Sequence, residues 1–313
     1  MTMNVYLAID EFSDAQLDHL RQELGDTKLI PSQAVGHEQA IDPGFQHCEV
    51  AFGNVPAHWL QQSDKLQWVQ LESVGFGEYR SLDWQQLQQQ ITMTNLAGFF
   101  AEPVAQTALA GILTLYRGID QLVQYQQQKF WNGDPLRTQL RSLTGAAVVL
   151  FGYGAINRKL EELLSPFDCK LTSFGSRWTD DELDIALAKA DIVVSTTPET
   201  DATTGVFDQR RLALLRSDAV FVNCGRGSVV DETALSASLH AGLLGGAVID
   251  VTNDEPLPPE HPFWSTPRLL LTQHTGGGTI DELDRKIGVF IENFHRFSQQ
   301  QPLHSVVDFA RGY

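Results

Sequence analysis

Residues 146–164 read AAVVLFGYGAINRKLEELL. The run from Ala146 to Phe151 is apolar without interruption, as in a strand covered on both faces. It opens into Gly152-Tyr153-Gly154-Ala155-Ile156 and then into an amphipathic helix. Each glycine has a physical task in such a turn. Gly152 permits the tight bend, Gly154 lets the backbone approach a pyrophosphate, and the helix start supplies unpaired N–H groups and the positive end of a dipole. A GxGxxG pattern alone is a weak signal, but between a strand and a helix it marks a dinucleotide site. The third position is Asn157 instead of glycine, a departure from the pattern.

Outward from this unit, strands and helices alternate. Downstream strands are expected at KLTSF (170–174), DIVVSTT (191–197), AVFVNCG (219–225), GAVID (246–250) and RLLLTQH (268–274), with helices near Glu182–Ala190 and Glu232–Ala241. These strands read as nearly continuous apolar runs, the signature of a parallel sheet covered on both faces. Upstream, NVYLAI (4–9), Val50–Phe52 and LQWVQLES (66–73) read as strands. A helix capped by Ser13 is expected to Leu24, and another near Pro56–Gln62. One long helix is expected over Ala101–Gln126, then a polar irregular stretch at 126–145, a final helix over Ile280–Gln300 and a last strand at SVVDF (305–309).

The 313 residues suffice for two domains. With 42% hydrophobic and 19% charged residues the chain reads as soluble and globular. The start MTMNVYLAIDEFSDAQ lacks the basic end and apolar run of a signal peptide. No stretch reaches the ~18 uninterrupted apolar residues of a membrane span, so a cytoplasmic protein is expected. Three scattered cysteines, Cys48, Cys169 and Cys224, form no CxxC pair and fit a reducing compartment without a metal site. The net charge of −17, from 22 basic and 39 acidic residues, argues against nucleic acid and anionic membranes as partners.

An NAD site carries an acid about 20 residues after the first glycine, where it accepts from the ribose 2′-hydroxyl. Here KLTSF ends in Gly175-Ser176-Arg177. A hydroxyl and a guanidinium suit a 2′-phosphate, so NADPH is expected over NADH. Asp180 and Asp181 follow closely and could reach back to a ribose.

Three later strand ends each carry one polar residue of a distinct type: Arg226 after AVFVNC, Glu255 after GAVID, and His274 after LLLTQ. Ligands of doubly wound sheets sit beyond the carboxyl ends of the strands, where these three could converge. An arginine can pair with a carboxylate and polarise a neighbouring carbonyl. An imidazole can supply a proton near neutral pH, and a carboxylate behind it holds one tautomer. This set suits reduction of a 2-oxo acid. Each residue alone has an ordinary structural reading, and the reading rests on their combination and order.

The chain resembles the D-isomer-specific 2-hydroxyacid dehydrogenases over nearly its whole length. The most specific parts are VNCGRGSVVDETAL (222–235), GAVIDVTNDEPLPPEHPFW (246–264) and the HxxG of His274–Gly277. Weaker support comes from LQWVQLESVG (66–75), TTPETDATTG (196–205) and HSVVDFARGY (304–313). The resemblance implies an α/β fold of two Rossmann-like, doubly wound parallel-sheet domains with an active-site cleft between them. The substrate domain would be discontinuous and flavodoxin-like, residues 1–98 and 278–313, with a dinucleotide-binding domain at 99–277. Arg226 would bind the substrate carboxylate and carbonyl, and Val74 and Gly75 would offer backbone N–H groups to that carboxylate. His274 would be the acid–base, paired with Glu255, and Asp250 would contact the nicotinamide carboxamide. Further dinucleotide contacts are expected at Gly152 to Ile156, including Tyr153 and Ala155, and at Ser176 and Arg177. Thr197, Pro198, Cys224, Gly225, His274 and Gly276 complete that set. A homodimer through the dinucleotide domain is implied.

Within the family, Gly175 in place of the usual acid points to NADP-using glyoxylate or hydroxypyruvate reductases. Gln106 stands where many members have glutamate. The formate dehydrogenase branch fits poorly, because formate oxidation needs no acid–base and that branch has glutamine in place of the histidine-paired glutamate. Two alternatives stay open: an NAD-dependent dehydrogenase of another D-hydroxy acid such as lactate, glycerate or 3-phosphoglycerate, and a dinucleotide-sensing, corepressor-like binding protein. Phe45, Phe52 to Asn54, Phe76, Phe99, Phe100 and Trp264 are candidates for the substrate pocket that spacing does not place.

Overall fold

In a computed structural model the chain is described over residues 3–9, 12–32 and 40–309. Residues 310–313 of the HSVVDFARGY run lie outside the described residues, as do positions 1, 2, 10 and 11 of the N-terminal stretch. The order begins β1 (Asn4–Leu7), α1 (Asp14–Leu24), β2 (Lys28–Pro31), β3 (Val50–Phe52), α2 (Ala57–Leu60), β4 (Trp68–Gln70), α3 (Trp84–Leu87) and β5 (Thr92–Thr94). Next come α4 (Ala101–Tyr116), α5 (Ile119–Gln127), α6 (Gly133–Arg137), β6 (Ala147–Phe151), α7 (Ala155–Leu164), β7 (Lys170–Phe174), α8 (Asp180–Leu187) and β8 (Ile192–Ser195). Then follow α9 (Gln209–Leu212), β9 (Val220–Asn223), α10 (Glu232–His240), β10 (Gly246–Ile249), β11 (Leu269–Leu271) and α11 (Glu282–Ser298). The chain forms two compact units, Met1–Phe99 with Thr279–Tyr313, and Phe100–Gly278. No helix among the described residues is long and apolar enough to cross a membrane.

The first unit holds a five-stranded parallel sheet in the order β2-β1-β3-β4-β5. Ser13 caps α1 in a reciprocal capping box with Gln16, which satisfies backbone donors the helix start leaves open. Phe290 of α11 stacks on Phe52 at 4.4 Å and on Trp68 at 5.3 Å, closing one face. Tyr6, Phe45 and Trp59 form an aromatic cluster on the other. Phe45, Phe52 and Phe76 are therefore core residues of this unit and not free pocket walls.

The second unit holds a six-stranded parallel sheet in the order β11-β10-β9-β8-β6-β7. Alternate residues of its strands line opposite faces. Val149 and Phe151 of β6 join one core with Val193, Phe221 and Ile249, while Val148 and Leu150 join the other with Val194, Val222 and Val248. The chain leaves β6 for β7 on one side and passes to β8 on the other. The order therefore reverses at the carboxyl end of β6, where open α/β sheets leave a crevice for ligands.

Three expectations change. The helix expected over Ala101–Gln126 is two helices, because Gly118 adopts φ +63° and α4 stops at Tyr116. The apolar spacing runs on, but Leu122 and Val123 of α5 face solvent. β7 is not covered on both faces: it is the sheet edge, and Lys170, Thr172 and Ser173 are exposed. SVVDF makes an isolated antiparallel bridge, Val306 to Thr94, and no strand. β2 and β5 had no sequence signal, being short and polar in part.

Candidate active site

The glycine turn is held by the strands on either side of it. Gly152 and Tyr153 both donate their N–H to the Phe174 carbonyl at the end of β7, at 2.9 Å each. Thr196 Oγ1 donates to the Gly152 carbonyl at 2.9 Å. Gly152 has φ +86°, and a Cβ there would stand 2.9 Å from the Thr197 backbone nitrogen, so glycine is required on both counts. Gly154 faces open space, and α7 starts without a side-chain cap. An uncapped helix start with clear room before it is the arrangement that accepts a pyrophosphate. Ala155 and Ile156 begin that first turn, and Tyr153 turns its hydroxyl to Glu161.

Asn157, in the place of the third glycine, is fully buried. Its amide nitrogen donates to the carbonyls of Phe151 and Gly152, at 3.1 Å each, and so ties α7 to the end of β6. Its Oδ1 has no partner among the described residues. Close helix–strand packing is thus achieved by hydrogen bonds where the usual glycine achieves it by absence of a side chain.

At the end of β7, Gly175 meets nothing within 4 Å of a Cβ position. Ser176 and Arg177 are exposed, and no partner for either is found among the described residues. Asp180, the nearest following carboxylate, is ion-paired with Arg211.

The ends of β8, β9, β10 and β11 interlock. Asn223, fully buried, donates from Nδ2 to the Arg226 carbonyl at 2.9 Å and accepts from Gly225 N–H at 3.1 Å. A Cβ at Gly225 would sit 2.5 Å from the Thr197 carbonyl oxygen, so this turn packs on the buried Thr197, just before Pro198. A Cβ at Gly227 would stand 2.1 Å from the Thr252 carbonyl carbon, which brings the Arg226 turn onto the loop that carries Glu255. Arg226 itself is half-buried, with Nη1 donating to the Gly225 carbonyl at 2.7 Å. Burial first, and then the Asp250 carboxylate, push the Cys224 thiol far up, so it stays protonated.

Asp250 is buried and holds the β11 turn. Its Oδ1 accepts from Thr272 Oγ1 at 2.5 Å and from Gly276 N–H at 3.1 Å, and its carbonyl accepts from His274 N–H at 2.6 Å. His274 Nδ1 lies 2.6 Å from Glu255 Oε2, while Glu255 Oε1 accepts from Thr252 N–H at 2.9 Å. A carboxylate at this position accepts from Nδ1–H and leaves Nε2 facing away from it.

Arg226, Glu255 and His274 line one cavity of about 290 Å³, together with Glu199, Ser228 and Asn253. A second cavity, of about 440 Å³, lies against the same Glu255 and His274 and is walled by Pro256, Leu257, Trp264 and Leu271. In the first unit, beyond β4, Asn95 Nδ2 donates to the Val74 carbonyl and Ser73 Oγ to the Gly75 carbonyl, at 2.7 Å each. No described group pairs with the N–H of Val74 or Gly75. Gln106 is exposed on α4 and donates to Glu102 at 3.3 Å.

Two supporting residues had not been singled out. Glu232 accepts from Asn253 N–H at 2.8 Å and stands 3.4 Å from His261 Nε2, which braces the Glu255 loop. Ser228 donates to Glu199 at 2.8 Å across the cavity wall. Glu232 lies inside VVDETAL, but its partners Asn253 and His261 come from the loop after β10, and no local pattern announces that contact.

Comparison with known proteins gives a consistent picture. The model of the "D-isomer specific 2-hydroxyacid dehydrogenase, NAD binding domain" matches residues 109–276. Mitochondrial formate dehydrogenase of Solanum tuberosum is 32% identical over 208 residues, 61% of this chain and 53% of that protein. The match thus spans about half the length of that relative. Glyoxylate reductase of Thermofilum pendens is 30% identical over 247 residues, 74% of this chain and 71% of its own. The solved D-isomer specific 2-hydroxyacid dehydrogenase of Xanthobacter autotrophicus, in complex with NADPH and MES, superposes with a TM-score of 0.82 at 22% identity. That superposition covers 100% of this chain and 99% of the other.

Proposed function

The chain belongs to the D-isomer-specific 2-hydroxyacid dehydrogenase family, and from that premise we propose that it reduces a small 2-oxo acid of the glyoxylate or hydroxypyruvate class to the D-2-hydroxy acid, with NADPH as the reductant. The observation that carries the reading is the 2.6 Å contact between His274 and Glu255 on the wall of a cavity that Arg226 also lines. Formate oxidation has no use for such a proton donor, which favours the 2-oxo acid reading over the activity of the formate dehydrogenase relatives.

The uncapped start of α7 and the open face of Gly154 fit a dinucleotide pyrophosphate. Ser176 and Arg177, with no acid at Gly175, favour a 2′-phosphate over a bare ribose, and the Xanthobacter relative was solved with NADPH. The bound nicotinamide supplies the hydride that reaches the ketone carbon. Arg226 pairs with the substrate carboxylate and draws charge onto the carbonyl oxygen. Val74 and Gly75 are assigned to the same carboxylate through their backbone N–H groups. His274, as the imidazolium that Glu255 steadies through Nδ1, would give its Nε2 proton to the oxygen as it becomes an alkoxide and be left as neutral imidazole. Asp250 would hold the nicotinamide carboxamide when the dinucleotide is bound.

Ile119, Leu122, Val123, Phe130 and Trp131 are exposed on and after α5, and this apolar row supports a homodimer through the second unit. The free thiols of Cys48, Cys169 and Cys224 support a cytoplasmic setting.

The test is the rate of NADPH oxidation with glyoxylate, hydroxypyruvate and pyruvate, with NADH in parallel and Arg226→Ala as control. Turnover that favours NADPH and drops by about 10²–10³ in the variant supports the reading. Turnover with NADH alone keeps the reaction and removes the coenzyme assignment. Tight dinucleotide binding without turnover on any 2-oxo acid replaces the enzyme reading with a sensor.

A further inference from the structure

Ser176 and Arg177 are exposed, and Trp178 and Asp180, which follow them, both meet Arg211. Among the described residues Arg211 is the one buried basic side chain, at 6% exposure. Its Nε donates to Asp184 at 2.9 Å, its Nη1 donates to the Val206 carbonyl at 3.1 Å, and its Nη2 pairs with Asp180. Its guanidinium lies 5.4 Å from the centroid of the Trp178 ring. That ring meets Phe151 edge-on at 5.3 Å, and Phe151 immediately precedes Gly152. The cluster of Arg211, Trp178 and Asp180 therefore stands beside the glycine turn.

A buried guanidinium is expensive unless every arm is paired, and an apolar side chain would fill the same gap without that demand. What the guanidinium adds is a hold on Asp180. The Asp180 side chain is 76% exposed, yet one of its oxygens is committed to Arg211. A carboxylate near this strand end is what recognises a free ribose 2′-hydroxyl, and it repels a 2′-phosphate.

We propose that Arg211 is a specificity-determining residue: by holding Asp180 it withdraws the acid that would select a dinucleotide with a free ribose, and leaves recognition of the 2′-phosphate to Ser176 and Arg177. This inference rests on the NADPH reading above. Arg211 touches neither substrate nor dinucleotide in this scheme and acts through Asp180 alone.

Direct binding separates the possibilities. Dissociation constants for NADPH and NADH are measured by calorimetry, without any 2-oxo acid, on the full chain and on Arg177→Ala, Arg211→Gln, Asp180→Asn and the Arg211→Gln/Asp180→Asn pair. Arg211→Gln is expected to tighten NADH about tenfold and weaken NADPH by a similar factor, since a released carboxylate gains a hydroxyl partner and meets a phosphate. Asp180→Asn alone is expected to move NADH by less than about twofold, and within the pair to cancel the gain. Equal shifts of both dinucleotides in Arg211→Gln, as a merely structural role would give, overturn the inference. So does a tenfold loss of NADH affinity in Asp180→Asn, which would mean that Asp180 already reaches the ribose; this exposed position decides the matter even if Arg211→Gln does not fold. A wild type that prefers NADPH and loses that preference in Arg177→Ala, with an unmoved ratio in Arg211→Gln, removes the inference and keeps the coenzyme reading. A wild type that prefers NADH removes both.

Discussion

Glu255 Oε2 and His274 Nδ1 are 2.6 Å apart, and His274 makes this contact from a backbone at φ +56°, directly after Gln273 at φ +52°. Two successive non-glycine residues in the left-handed region cost about 1 kcal/mol or more each. The strain is held by Asp250, whose carbonyl accepts from His274 N–H and whose carboxylate accepts from Thr272 and Gly276 on either side. A turn this tightly tied fixes where the imidazole points. His274→Asn is expected to lower kcat by about 10²–10⁴, the range of a lost general acid. Glu255→Gln is expected to lower it by about 10–100, because the ring remains but loses its orienting partner. Steady-state rates on one 2-oxo acid check both, and equal losses in the two variants would refute the division of roles.

Gly175 offers a direct test of the coenzyme assignment. A Cβ there meets nothing within 4 Å, so Gly175→Asp adds a carboxylate at the proposed ribose site without a steric penalty. It is expected to shift the ratio of kcat/KM from NADPH toward NADH by at least about tenfold, with the melting temperature unchanged. An unchanged ratio would show that the end of β7 does not read the ribose.

The second unit was largely legible because its sheet is parallel and buried. AAVVLFGYG carries strand, turn and helix start in one stretch, and β8, β9 and β10 are apolar on both faces because both faces are covered. Legibility failed where a neighbour, not the local pattern, decides. Gly118 stops α4 while the apolar spacing continues into exposed Leu122 and Val123. Asn157 looked like a defect in the glycine pattern, and its amide proves to bond two carbonyls at the end of β6. The three acid–base and carboxylate-binding candidates could be named because each follows a strand end, where such sheets leave their crevice. Arg211 could not be named, since its anchors Asp180 and Asp184 lie on another helix. The one local hint is that those two acids are four residues apart on a single face of α8.

Asp184 gives a pH dependence with a definite sign. The Arg210 guanidinium first, and then Arg211, hold its carboxyl below the ordinary value of 3.8. A depressed folded-state value stabilises the protein above the unfolded value and is lost as the pH falls through the folded one. Asp184→Asn is therefore expected to lower the melting temperature at neutral pH, with the gap to wild type closing below about pH 4. Thermal melts across that range check it, and a gap that stays constant into acid would show that the pairing with Arg210 and Arg211 contributes nothing that depends on charge.

Gly227 couples the two halves of the proposed catalytic set. It sits one residue after Arg226, and a Cβ there would lie 2.1 Å from the Thr252 carbonyl carbon and 2.3 Å from the Asn253 nitrogen. Both are backbone atoms and cannot swing away as a flexible side chain could. Thr252 N–H in turn holds Glu255, and Asn253 N–H is held by Glu232, so a shift here moves Glu255 relative to Arg226. Gly227→Ala is expected to destabilise the protein by about 1–3 kcal/mol through overpacking. Its kcat is expected to fall at least as far as that of Glu255→Gln, with dinucleotide affinity changed little because the α7 turn is not touched. Melting temperature, kcat and the dissociation constant for NADPH, measured on the same preparation, separate these effects. A variant with full kcat would show that the contact of Gly227 with Thr252 does not set the position of Glu255.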